Sequence, residues 1–97
     1  MQSNVIALPS SNQDVSVLTV HPVNRPDLKT VAFVDIQDGC YRIRGLSVVR
    51  HEKGAFVSFP KRKNGQKWFE IIEAEEPRRS QIFRTVLADP RVRELLS

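Results

Sequence analysis

Only one cysteine, Cys40, stands in the 97 residues, so no internal disulfide can form and a disulfide-stapled secreted scaffold is excluded. Next to Gly39 at the start of a strand, Cys40 reads as a small, partly buried filler, and the expected compartment is a reducing cytoplasm. No apolar run approaches the roughly 18 residues that span a bilayer. The run Val5-Ile6-Ala7-Leu8 is too short for a signal-peptide core and follows no positive charge, so the chain is expected to be neither exported nor membrane-spanning. Histidine is sparse too. His21 and His51 have no carboxylate or cysteine at metal-like spacing and read as surface turn residues. Gly-rich phosphate loops and nucleophile-elbow patterns are missing. The acidic group Glu70, Glu73, Glu75 and Glu76 would supply an acid and a base, but at a strand-to-helix junction it better complements a helix dipole. The expectation is therefore no enzyme activity, metal, cofactor or small-molecule substrate.

What the chain does have is positive charge. Fifteen Lys and Arg against eleven Asp and Glu give a formal net charge of +4, and ten of the fifteen cations are arginine. The planar guanidinium fork suits phosphate, although an Arg-rich genome gives the same bias. Charge is densest in Phe59-Pro60-Lys61-Arg62-Lys63-Asn64-Gly65-Gln66-Lys67-Trp68-Phe69, with four cations in seven residues between two apolar pairs. Mutual repulsion of these cations would be relieved by a bound polyanion. A solvated hairpin tip is the plainer reading.

Residues 1–14 are rich in Ser, Asn and Gln without periodicity and read as a flexible tail ahead of a single domain over 15–97. Val15–Val20 is β-branched and ends at His21-Pro22, which suits an edge strand. Lys29–Ile36 is apolar on both parities except at Asp35, as for a central strand. Tyr41–Arg50 changes parity, and a bulge at Gly45 would return Tyr41, Ile43, Leu46 and Val48 to one face. Phe56–Phe59 and Lys67–Ile72 are the fourth and fifth strands, joined by the basic turn with Asn64-Gly65 reversing the chain. Ile82, Phe83, Val86 and Leu87 then form a helical stripe, with Pro77 in the first turn. Asp89-Pro90 reads as an N-cap and first position of a second short helix carrying Val92, Leu95 and Leu96. The expected class is α+β, a small antiparallel sheet of about five strands followed by two C-terminal helices. So short a chain buries a limited core, which favours a homodimer.

The order Leu28-Lys29-Thr30-Val31-Ala32-Phe33-Val34, then Tyr41-Arg42-Ile43, then Leu46-Ser47-Val48-Val49, then Gly54-Ala55-Phe56-Val57-Ser58-Phe59-Pro60-Lys61-Arg62-Lys63 resembles the SpoVG (stage V sporulation protein G, septation regulator) family. The resemblance runs from about Val15 to Leu87, and Gly54–Lys63 is its most specific part. It implies a dimeric α+β regulator in the bacterial cytoplasm that binds DNA, and in some members RNA, with roles such as septation in cell division. Lys61 stands where that family favours serine, and Trp68-Phe69-Glu70-Ile71 replaces a Tyr-Arg-Asp-Ile-like run.

By position the family's basic pair becomes Arg62 and Lys63, the expected phosphate contacts, and Lys61 and Lys67 join them on charge alone. Arg78 and Arg79 open the first helix, where the dipole disfavours cations by a few tenths to about 1 kcal/mol each. Either Glu75 pairs with Arg79, or the helix start and both arginines form an anion site. Arg42 and Arg44 face solvent or a partner. Trp68 would stack on an unpaired base if exposed, although the core is the commoner place for a tryptophan in so small a domain. The alternative function is a protein-interaction module acting through the Val15–Val20 edge and the Val5–Leu8 segment.

Overall fold

Alternating apolar residues build an antiparallel sheet from β1 (Val15–Pro22), β2 (Thr30–Asp38), β3 (Tyr41–His51) and β4 (Gly54–Ser58), arranged β1-β2-β3-β4. The computed structural model describes residues 15–97; the predicted tail 1–14, with its Val5–Leu8 segment, lies outside them. A separate two-stranded sheet, β5 (Lys61–Asn64) with β6 (Lys67–Glu70), follows, and the chain ends in α1 (Arg78–Ala88) and α2 (Pro90–Leu96). The α+β plan with strands and helices segregated is the one expected from the sequence.

Register decides which residues meet the helices. Val34 on β2 lies opposite Val20 on β1 and Leu46 on β3, and Ile36 lies opposite Val17 and Ile43. Ala32, Val34, Ile36, Leu46, Val48 and Val57 thus share one face and are buried together with Ile82 and Val86 of α1 and Val92 of α2. The predicted helical stripe is present, with Phe83 and Leu87 packed against that core. Asp89 caps α2 as expected, accepting from the Arg91 N–H at 2.9 Å, and its two carboxylate oxygens also hold the Arg91 guanidinium at 3.0 and 2.9 Å. These hydrogen bonds keep the Asp89 carboxyl below its ordinary range.

The parity change in β3 is a bulge, as predicted. Between the pairs Ile36–Ile43 and Val34–Leu46, β3 contains one residue more than β2, and Gly45 adopts φ +85°, where a side chain would be strained. The freed Gly45 N–H donates to Asp35 Oδ1 at 3.0 Å. Asp35, the polar exception in β2, therefore supplies the acceptor that the broken ladder lacks. Its Oδ2 lies 3.2 Å from His21 Nε2. His21 is thus a strand residue with a carboxylate partner, contrary to the turn reading, because β1 runs on through Pro22 at the sheet edge, where a missing ladder donor is tolerated. His51 ends β3 and accepts from the Lys53 N–H at 3.3 Å. Cys40 is exposed rather than partly buried. Asp38 pairs directly with Tyr41, which leaves Gly39 and Cys40 alone at the tip of a two-residue turn.

The strand count is the main correction. In place of a fourth strand reaching Phe59 and pairing through the basic turn, β4 stops at Ser58 and pairs only with β3. Phe59 turns into the core, 1% exposed, with its ring 5.2 Å from that of Phe83, and Pro60 offers no N–H to continue a ladder. The four-stranded sheet ends there, and the residues predicted as turn become β5.

Candidate nucleic-acid interface

The basic segment is an arm. Lys61 pairs with Glu70, Arg62 with Phe69, Lys63 with Trp68 and Asn64 with Lys67, and Gly65 at φ +67° with Gln66 forms the tip. Directly opposed residues of an antiparallel pair share a face. One face of the arm therefore carries Lys61, Lys63, Trp68 and Glu70, and the other carries Arg62, Asn64, Lys67 and Phe69. Lys61, Arg62, Lys63 and Lys67 are all exposed, and none belongs to an ion pair among the described residues. An open cleft beside β5 is lined by Arg62, Lys63, Asn64 and Phe69. Trp68 is 62% exposed, outside the core that its residue type suggested, and Lys63 Nζ lies 5.9 Å from its ring centroid, within cation–π range.

The arm is fixed at its base. The Ile71 N–H donates to the Pro60 carbonyl at 2.9 Å, and Glu70 Oε2 lies 3.5 Å from the Arg79 guanidinium on α1. Arg79 also sits over two core rings, 5.3 Å from the Phe59 centroid and 5.0 Å from that of Phe83. The carboxylate that meets Arg79 is thus Glu70 and not Glu75, the partner named in one of the two sequence readings, whose backbone carbonyl instead accepts from the Arg79 N–H. Arg78 approaches Asp38 at 3.6 Å and donates to Gln81 Oε1 at 2.9 Å. Both cations of the unfavourable first turn are consequently matched by carboxylates from distant strands. The turn gains a further anion from Glu76, whose Oε1 accepts from the Ser80 N–H at 2.9 Å. Those bonds with Ser80 hold the Glu76 carboxyl below its usual range.

The cations divide by employment. Arg25 pairs with Asp27, Arg50 donates to the Leu95 carbonyl, and Arg91 pairs with Asp89, as Arg78 and Arg79 do with Asp38 and Glu70. The four arm cations make no such contact, and Arg42 and Arg44 on β3, Lys29, Lys53, Arg84 and Arg93 are likewise exposed without an ion pair among the described residues, so the arm is set apart by the density of its free cations. The predicted site residues therefore fall into two places, with Lys61, Arg62, Lys63 and Lys67 together on the arm and Arg78 and Arg79 at its foot. Phe69 was not anticipated as part of the site. Period-2 alternation in Lys67–Glu70 puts it opposite Trp68, but its exposure depends on the arm standing free of the main sheet, which local sequence does not encode.

Among the described residues no group of three His, Cys, Asp or Glu side chains is placed to hold a metal ion, and no helix is long and apolar enough to cross a membrane. Set against family models, curated proteins and solved structures, the chain matches none of them.

Proposed function

We propose that this protein is a nucleic-acid-binding regulator, in the manner of the SpoVG family that it resembles, and that it holds the phosphate backbone with the β5–β6 arm. One observation carries this reading: the arm gathers Lys61, Arg62, Lys63 and Lys67 on a projecting hairpin with no carboxylate among the described residues ion-paired to any of them, whereas Arg78 and Arg79 at its foot are held by Asp38 and Glu70. Four unmatched cations gathered on one short hairpin are available to phosphate. The protein acts as a homodimer, so two arms grip one nucleic acid, and paired half-sites follow if the target is duplex.

Fluorescence anisotropy of labelled DNA and RNA at two salt concentrations tests the proposal. Affinity falls steeply with salt when several phosphates are neutralised. Arg62→Ala with Lys63→Ala weakens binding about tenfold or more and reduces the salt slope by about two, while the melting temperature stays put because neither side chain touches the core. Unchanged affinity in a folded double variant removes the arm from the site.

The second reading is a protein-interaction module, since β1 is an edge strand of the four-stranded sheet. Its register slips at Leu18, between the pairs Val17–Ile36 and Thr19–Asp35, and Pro22 ends it. Bulges and prolines are devices that discourage strand addition, so the edge supports this reading less well than the arm supports the first. A partner held through apolar surface would also keep its affinity as salt rises.

A further inference from the structure

Phosphate contact explains the arm's cations and leaves its aromatic rings without a role. Trp68 is 62% and Phe69 51% exposed, and neither takes part in the core. They occupy opposite faces of the arm, and each has cations for neighbours: Lys61 and Lys63 lie on the Trp68 face, together with Glu70, whose charge is met by Arg79, and Arg62 and Lys67 lie on the Phe69 face. Lys63 Nζ lies 5.9 Å from the indole centroid, and most of the Trp68 side chain stays in water. A flat apolar ring beside positive charges takes a base against its free face and that base's phosphates on the nearby cations. In a duplex the base faces are already occupied by their neighbours. An unpaired strand offers them freely.

We propose that the β5–β6 arm is a stacking arm for single-stranded nucleic acid, with Trp68 as its principal platform, Phe69 as a second on the reverse face, and the four cations holding phosphates on either side. The inference rests on the nucleic-acid reading above and names the substrate class for that site. Phe69 gains support from the adjoining cleft, in which Arg62 and Asn64 line the wall beside the ring.

The test uses the chain's single tryptophan as its own reporter. The full chain is titrated at low salt with a mixed-sequence DNA strand, the same strand as RNA, and the DNA duplex, and Trp68 emission is followed beside anisotropy. Either single strand is expected to quench Trp68 and to bind about tenfold or more tighter than the duplex. The ratio between the two strands gives the preferred sugar. Trp68→Ala should weaken single-strand binding by about tenfold or more, Trp68→Phe should retain most of it, and both should melt like the parent because the side chain is exposed. Duplex binding as tight as single-strand binding, without quenching, overturns the stacking arm and leaves the phosphate grip standing. No binding by any of the three removes both. Emission that shifts with protein concentration before nucleic acid is added assigns the rings to a contact between copies, and overturns the proposal too.

Discussion

Asp35 and Asp89 are carboxylates placed to satisfy backbone N–H groups, and they differ in how far the need for them can be read locally. Asp89 precedes Pro90, and cap and first helical position are adjacent in sequence, so its role is visible in two residues. Asp35 answers a bulge ten positions away on another strand, and only the register at Gly45 reveals the donor that it serves. The Asp89 and Glu76 carboxyls are both held below their ordinary range. Their contribution to stability is therefore complete above about pH 5, clear of the unfolded carboxylate values, and is lost as pH falls through the lowered native values. Thermal melts from neutral to acid pH should show this loss. Asp89→Asn keeps a good capping oxygen but cannot titrate, and is expected to flatten part of the acid limb. Asp89→Ala should cost about 1 kcal/mol at neutral pH.

At the scale of elements, periodicity carried the helices and the four-stranded sheet, and it failed at the arm. The alternation of Phe56–Phe59 continues naturally into a longer strand, and nothing within that segment says that Phe59 will bury itself under Phe83. That burial is a tertiary choice. It ends one sheet, and with Pro60 it forces the charged residues to find their own pairing. The site's cations were legible as composition, whereas their separation from Arg78 and Arg79 was not, because Asp38 and Glu70 reach those arginines from strands 40 and 9 positions away in sequence. Arg79 links the foot of the arm to α1 through one carboxylate and two aromatic rings. Arg79→Ala should therefore destabilise the fold by about 1–2 kcal/mol, read by denaturant titration. Arg79→Lys should recover only part of this, since an ammonium cannot lie flat on the rings. Lys61→Ala or Lys67→Ala, by contrast, should stay within about 0.5 kcal/mol of the parent.

For the whole molecule, both helices lie on one face of the four-stranded sheet. The residues flanking the buried ones in sequence point the other way, so Phe33 and Phe56 remain 43% and 46% exposed. An 11.1 kDa chain that leaves such rings in water is a candidate for self-association. Sedimentation equilibrium is expected to return twice the chain mass, and Phe33→Ser with Phe56→Ser to shift it toward the monomer. A monomer at all concentrations would leave one arm per particle, and nucleic-acid affinity would then rest on a single grip.

None of the residues from Lys61 to Glu70 contributes to the core, and the arm returns to the body where Ile71 meets Pro60. With the arm as the proposed site, folding and recognition would be written in different stretches of the chain. On that proposal, substitutions on the arm would change what is bound without altering the packing of Val34 or Leu46, and target preference would drift between related sequences while the body stays as it is. Exchanging this one hairpin for another of the same span amounts to changing a tool in a fixed handle.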